Sequence, residues 1–110
     1  MKLVIPLPLA FQPGERWAYC NTNYFLLGLI VESVSGQTLE KFLTENVYSK
    51  TGMKVTRTTD PSAVIPFRAS GYTWKTSHFE NYDALNPTAA GGAGFIESNV
   101  IDMASWAIAV

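Results

Sequence analysis

Tyr19, Cys20 and Asn21 are three adjacent residues whose side chains could do chemistry. A phenol gives or takes a proton, a thiolate attacks an electrophile, and an amide both donates and accepts hydrogen bonds. Cys20 as a nucleophile would need an adjacent base, and the single histidine, His78, falls in a suspected hairpin turn where a solvated surface role is expected. Tyr19 and Asn21 also suit a simpler role, as an aromatic staple and an N-cap of the helix that follows.

Neither common signature of a serine nucleophile occurs in the sequence. No serine has a lysine three residues later, and no Gly-x-Ser-x-Gly elbow is found. One Cys and one His far apart make no metal site, and the glycine-rich stretch 89–94 lacks the spacing of a phosphate or dinucleotide cradle. We interpret that stretch as a flexible approach to the helix after it. We expect no cofactor and no metal, and we place any serine nucleophile outside this chain.

Three helices are predicted to carry these residues. The first lies between Tyr24 and Ser35, and Gly36 supplies its left-handed cap. The second starts at Thr38 as N-cap and ends at Gly52, and the third starts at Ser98 as N-cap with Asp102 near its positive end. The apolar positions that share one face of the first two helices are Leu27, Ile30, Val31 and Val34, and Leu39, Phe42, Leu43 and Val47. The predicted buried stripe of the third helix is Met103, Trp106, Ala107 and Val110.

Helical periodicity disappears between Lys54 and Gly94. The best local signal there is a hairpin in which Tyr72 and Trp74 share a face opposite Phe79 and Tyr82, and the rest is predicted to be loop. So long a weakly structured connection, beside three amphipathic helices without an obvious sheet, indicates packing partners outside this chain. The tryptophans are interpreted as core or interface aromatics: Trp17, Trp74 and Trp106.

Composition limits the class of protein. The 110 residues are 47% hydrophobic with a formal net charge of -1, which suits at most one globular unit. Eight Lys plus Arg against nine Asp plus Glu, without a clustered run, give no footprint for nucleic acid. No stretch approaches the ~20 apolar residues that span a bilayer. Pro6 and Pro8 interrupt the apolar start, so we expect no signal peptide and leave the compartment open.

A longer pattern surrounds the three chemical residues. The order Phe11-x-Pro13-Gly14-Glu15-x-Trp17-x-Tyr19-Cys20-Asn21, running into Leu26-Leu27-Gly28 and Val34-Ser35-Gly36, closely resembles the serine β-lactamase and esterase family, which includes penicillin-binding proteins. Further matches are Phe42-Leu43, Val47-Tyr48, Gly52-Met53, Ala69-x-Gly71-Tyr72, Gly92-Ala93-Gly94 through Ser98, and Asp102-Met103. The resemblance covers nearly all residues from Leu9 onward.

The resemblance implies an α/β fold of the β-lactamase/transpeptidase type. Residues 1–110 would be a partial domain, mainly its helical lobe, lacking the N-terminal Ser-x-x-Lys part and the C-terminal Lys/His-x-Gly strand part. Lys50-Thr51-Gly52 spells a form of that last motif, but its place after a predicted helix favours a helix C-terminus instead. Family members are often periplasmic or secreted.

The resemblance also implies roles for two residues. Tyr19 would share a proton with the absent lysine, help to activate the absent serine and later protonate the leaving group. Asn21 would orient that lysine and hold the carbonyl of the substrate's side-chain amide. The intact enzyme would act on a small acyl compound, such as a β-lactam, an ester or a D-amino-acid peptide, and this chain alone would be inactive.

Two other functions stay open at this point. The chain could be a non-catalytic remnant that associates with itself or with a partner through its apolar helix faces. It could also be a miniature enzyme that uses Cys20, a residue near a helix start where thiolates are stabilised.

Overall fold

The computed structural model describes residues 7–82, 91–94 and 96–110. Helix α1 spans Asn21–Ser35 and ends at Gly36, which has φ 68° and donates its N–H to the Glu32 carbonyl, as predicted. The helix begins earlier than the predicted Tyr24, because Cys20 is extended (φ -150°, ψ 120°) and forms the N-cap. The N-cap role considered for Asn21 is therefore wrong, since Asn21 is the first helical residue.

The second helix is divided in two. Thr38 is its N-cap, as predicted, and its hydroxyl accepts the N–H three residues later at 3.3 Å. Helix α2 spans Leu39–Leu43 and continues as a π-helical segment, Thr44–Tyr48. Ser49 follows, and its N–H and its hydroxyl both donate to the Thr44 carbonyl, at 3.0 and 2.7 Å. Hydrogen bonds between residues i and i+5 here replace the i to i+4 bonds of an α-helix. The periodicity of apolar side chains does not predict this change.

Lys50-Thr51-Gly52 lies in the turn that ends this helical segment. The Thr51 hydroxyl donates to the Val47 carbonyl at 2.9 Å, and Gly52 has φ 76°. The interpretation of these three residues as a helix C-terminus is confirmed.

Helix α3 spans Val100–Ala109. Its N-cap is Asn99, whose side-chain oxygen accepts the N–H of Asp102 at 2.8 Å, so the prediction of Ser98 is wrong by one residue. The Ser98 hydroxyl is instead 2.8 Å from the hydroxyl of Thr56, with which it shares a hydrogen bond.

Two short antiparallel pairs complete the fold. The predicted hairpin is confirmed as β2, Tyr72–Lys75, and β3, His78–Asn81, with Trp74 opposite Phe79 and their rings edge-on at 4.8 Å. The second pair joins β1, Arg57–Thr58, to β4, Ile96–Glu97, and β1 lies in a region predicted to be loop apart from the hairpin. Two-residue strands are too short to show an alternating pattern in the sequence.

The apolar faces predicted for the first and third helices are largely exposed. Among the described residues, the buried hydrophobic side chains are Tyr48 and Met53. Residues of α1, of α3 and all three tryptophans retain large exposed fractions: Leu27 55%, Ile30 56%, Val34 83%, Met103 50%, Trp106 37%, Val110 82%, Trp17 84% and Trp74 58%. The prediction of a buried stripe at Met103, Trp106 and Val110 is wrong for this chain by itself. The open apolar faces agree with the prediction that packing partners lie outside this chain.

The total exposed area agrees with this picture. The chain exposes 8956 Å². A compact folded monomer of its 12.1 kDa mass would expose about 6,000 Å². The excess of about 3,000 Å² exceeds the ~800 Å² that each partner buries in a protein interface of standard size.

The Asp102 carboxylate joins the start of α3 to the segment after the π-helical turn. Oδ1 accepts the N–H of Lys54 at 3.0 Å, and Oδ2 accepts the N–H groups of Val55 and Thr56 at 2.8 Å and the Thr56 hydroxyl at 2.7 Å. Several hydrogen bonds lower the pKa of Asp102 to about 2, although burial opposes the shift. The N–H of Lys54 contributes most, followed by the Thr56 hydroxyl and the N–H groups of Val55 and Thr56. Asp102 is only 3% exposed.

We expect Asp102→Asn to lower the urea midpoint of unfolding of the purified chain at pH 7, because an amide nitrogen cannot accept these hydrogen bonds. A depressed carboxyl pKa contributes stability that is complete above the ordinary value near 3.8 and is lost as pH falls towards about 2. The variant should therefore also lose stability less steeply than the wild type between these pH values.

Asp60→Asn is the matched control. The Asp60 carboxylate accepts only local hydrogen bonds, from the N–H and the hydroxyl of Ser62. It should shift the midpoint much less than Asp102→Asn, and equal shifts would show that Asp102 does not join the two segments.

Candidate active site

Tyr19 and Asn21 form a hydrogen-bonded pair at the start of α1. The Tyr19 hydroxyl donates to Asn21 Oδ1 at 2.8 Å. Cys20 between them is extended, and in extended backbone alternate side chains project to the same side. Both members of the pair are exposed, Tyr19 by 61%, so a phenol and an amide stand together where a ligand can reach them.

Tyr24 supports the phenol from α1. It lies three residues after Asn21, on the same helix face, and its ring centroid is 5.3 Å from that of Tyr19 at an interplanar angle of 37°. The first turn of α1 therefore sets the positions of both members of the pair.

A turn before the pair directs the chain towards it. Gly14 has φ 87°, and the N–H of Glu15 donates to the Gln12 carbonyl at 3.2 Å while the Glu15 carboxylate accepts the N–H of Gln12 at 2.9 Å. The Arg16 guanidinium lies 4.8 Å from the centre of the Phe11 ring. These contacts explain why the Phe-x-Pro-Gly-Glu pattern precedes the pair.

A glycine-rich turn packs directly on α1. We call Gly91–Ala93, a 3₁₀ turn, the glycine turn. A Cβ placed on Gly92 would lie 2.4 Å from the Tyr24 carbonyl oxygen, and one placed on Gly28 would lie 2.8 Å from the Gly92 nitrogen. The described part of this stretch is thus closely packed, so the prediction of a flexible approach is wrong there, and its residues 89 and 90 lie outside the described residues.

Cys20 is exposed and separate from the histidine. The pKa of the Cys20 thiol is lowered, first by the N–H of Asn23 and then by the side chain and N–H of Thr22. The exposed sulfur makes no capping hydrogen bond to the helix. His78 is the first residue of β3, and its Nε2 lies 3.1 Å from the Glu80 carboxylate. Among the described residues no hydrogen bond joins His78 to Cys20.

The arrangement can move a proton and hold an amide or carbonyl group. No Ser-x-x-Lys occurs in the sequence, so the chain alone does not supply the serine nucleophile and lysine of that chemistry. In the part of the chain that the structure describes, no group of three metal-ligating side chains comes together. Nor is any described helix long and apolar enough to cross a membrane.

Comparison with known proteins identifies the family. The Beta-lactamase family model matches residues 1–110. The solved penicillin-binding protein of Bacillus halodurans superposes with a TM-score of 0.83 and is 30% identical, over 93% of this chain and 32% of that protein. This chain therefore belongs to the β-lactamase family and has the β-lactamase/transpeptidase fold, of which it forms a helix-rich part with a small hairpin.

Two sequence relatives have related names. A protein of Escherichia coli K12, provisionally assigned as a D-alanyl-D-alanine carboxypeptidase, is 40% identical over 53 residues, which are 48% of this chain and 12% of that protein. A protein of Salmonella schwarzengrund with the same assignment is 32% identical over 56 residues, 51% of this chain and 13% of that protein. The chain spans only a small part of the length of these relatives.

We expect alkylation of Cys20 by iodoacetamide to have a midpoint pH below 9.0, the ordinary pKa of a cysteine thiol. A lowered pKa means more thiolate at each pH below that value, and the thiolate is the species that reacts. Thr22→Val should move the midpoint up, because it removes one of the groups that lower the pKa. A midpoint at or above 9.0 in the wild type would contradict this account of the helix start.

Proposed function

We propose that this chain provides the Tyr-x-Asn part of a serine hydrolase that acts on β-lactams, esters or D-amino-acid peptides through an acyl-enzyme. The observation that carries the proposal is the 2.8 Å hydrogen bond between the Tyr19 hydroxyl and the Asn21 amide, exposed at the start of α1 in a chain of the β-lactamase family. The named relatives, a penicillin-binding protein and a carboxypeptidase assigned to D-alanyl-D-alanine, support acyl chemistry of this kind.

In this proposal Tyr19 is the proton-transfer group. The serine oxygen, supplied from outside these residues, bonds to the substrate's acyl carbon, and the bond from that carbon to the leaving nitrogen or oxygen breaks. The serine proton passes to the proton-sharing pair formed by the Tyr19 oxygen and its partner lysine, and from that pair to the leaving group. Water later attacks the same carbon and releases the acid and the serine.

Asn21 is the orienting group. Its amide oxygen accepts the Tyr19 hydroxyl in the structure, which leaves the two amide hydrogens to donate to a substrate carbonyl. When the lysine is present, the same oxygen can accept one of the ammonium hydrogens. One amide can therefore fix both the base and the substrate relative to α1.

Tyr19→Phe tests the role of the phenol. In the protein expressed from the complete reading frame that encodes this chain, we expect it to slow acylation by a fluorescent penicillin about 10²- to 10⁴-fold, the usual contribution of a general acid–base group. The melting temperature should stay unchanged, because the phenol is exposed and makes only the local bond to Asn21.

Tyr72→Phe is the control, since it removes a phenol of equal exposure, 62% against 61%, from the hairpin. It should acylate at the wild-type rate. A wild-type protein that forms no adduct, or a Tyr19→Phe variant that acylates as fast as the control, would contradict the proposed function. The isolated 110-residue chain should form no adduct.

A second candidate is an association module without catalysis. The observation that favours it is the excess of about 3,000 Å² of exposed surface, together with the open apolar faces of α1 and α3, where Val34 is 83% and Ile108 87% exposed. Faces of this kind bind other surfaces in order to remove apolar area from water.

On this second candidate, the purified chain should sediment as a dimer or larger species and bind an apolar fluorescent dye. Val34→Glu and Ile108→Glu should weaken the association by placing a charge in the interface, whereas exposed Ser33→Glu should have little effect. A monomer that binds no dye would rule out the association module.

A further inference from the structure

Two glycine backbones approach each other closely near the Tyr19–Asn21 pair. The glycine turn and α1 form the most extensive contact between two elements in the described part of the chain. A Cβ at Gly92 would lie closest to the Tyr24 carbonyl oxygen and then to Gly28, and a Cβ at Gly28 would lie closest to Gly92. The backbones meet with no space for a side chain between them.

This contact lies on the helix face that carries the pair. Asn21, Tyr24, Phe25 and Gly28 are spaced at i, i+3, i+4 and i+7, so they form one stripe along α1. The glycine turn contacts this stripe at the Tyr24 carbonyl, the Phe25 ring and Gly28: a Cβ at Gly91 would lie 2.9 Å from the Phe25 ring. The first residue of the stripe, Asn21, stays exposed beside the turn.

Tyr24 links the contact to the pair. Its carbonyl is the atom nearest to a Cβ at Gly92, and its ring packs on Tyr19 at 5.3 Å. We propose, as an extension of the function proposed above, that Gly28 and Gly92 are positioning residues that act through Tyr24 to hold Tyr19 and Asn21 in their catalytic arrangement. They touch neither substrate nor the reacting atoms.

Steric distances set the size of the effect. A Cβ at 2.4 Å from the Tyr24 oxygen must move by about 1 Å to reach ordinary contact, and the atoms around it are backbone that cannot rotate away. A displacement of about 1 Å in a catalytic group can lower a rate about 100-fold. At Gly28 the direction of the change in rate also identifies its cause. Alanine is a better helix former than glycine, so Gly28→Ala would strengthen α1 if the added Cβ did not disturb the contact.

The experiment compares Gly28→Ala and Gly92→Ala with Ser33→Ala in the protein from the complete reading frame. Ser33 is an exposed residue of the same helix, so its replacement changes helix propensity without touching the turn. We expect both glycine variants to slow the acylation step about 100-fold with little change in the concentration of penicillin that half-saturates it. They should also lose the NMR cross-peaks between the Tyr19 and Tyr24 rings, and Ser33→Ala should do neither.

The NMR signal makes failure of this proposal distinguishable from failure of the proposed function. If the wild-type protein forms no adduct with penicillin, the proposed function is contradicted. The ring cross-peaks of the glycine variants still show whether Gly28 and Gly92 position Tyr19. Retained cross-peaks and wild-type acylation in folded Gly28→Ala would overturn the proposal. Leu39→Ala added to Gly28→Ala should not restore either signal, since rescue would assign the effect to Leu39, whose Cδ2 would lie 3.2 Å from a Cβ at Gly28.

Tyr24→Leu is the second variant, chosen because it leaves the glycine contact intact: that contact uses the Tyr24 backbone. It removes only the ring that packs on Tyr19. We expect a folded protein with acylation slowed to a similar extent. Wild-type acylation by Tyr24→Leu would overturn the proposed route through Tyr24, even if Gly92→Ala failed to fold.

Discussion

The approach of the glycine turn to α1 is the constraint on which the candidate site depends. Two backbones meet at Gly28 and Gly92 at distances that no side chain allows, and the same helix face begins with the Tyr19–Asn21 pair. A helix normally loses stability at an internal glycine. Here the absence of a Cβ lets a distant segment of the chain lie against the first two turns of the helix, where the chemistry of the site would take place.

The Asp102 carboxylate provides a second tie between distant segments. It joins the beginning of α3 to Lys54, Val55 and Thr56 by accepting from their three backbone N–H groups and from the Thr56 hydroxyl. Buried carboxylates are stable when their oxygens are satisfied in this way. Together the two ties order a chain whose own hydrophobic core is small, and they leave the apolar faces of α1 and α3 available to the rest of a larger fold or to a partner.

Local signals in the sequence predict the local structure well. Gly36 and Thr38 mark helix ends because capping depends on a few neighbouring atoms, and the aromatic alternation marks the hairpin. The Asn99 cap is missed because Ser98 is an equally good capping residue, and only its bond to Thr56, which is distant in sequence, distinguishes the two. The contact of Gly28 with Gly92 could not be predicted either, since a glycine has no side chain whose pattern shows what it touches.

The apolar stripes illustrate a different limit. Their helical spacing is correct, but periodicity shows that a face is apolar and not whether the covering surface belongs to the same chain. Val34 and Val110 therefore lie on predicted apolar faces that remain exposed. This agrees with the share of the penicillin-binding protein that the chain matches, 32%. The candidate site is likewise incomplete within this chain. The resemblance identifies Tyr19 and Asn21, but the serine and lysine of Ser-x-x-Lys with which they would act are not among these residues.

We propose that Tyr19 and Asn21 belong to a serine hydrolase whose remaining catalytic groups are encoded beside this chain. The most direct measurement is the DNA sequence on both sides of the segment that encodes it, translated in frame. We expect an open frame with Ser-x-x-Lys upstream and Lys-x-Gly or His-x-Gly downstream. Stop codons that close the frame on both sides, with neither motif present, would contradict it and leave association as the function to pursue.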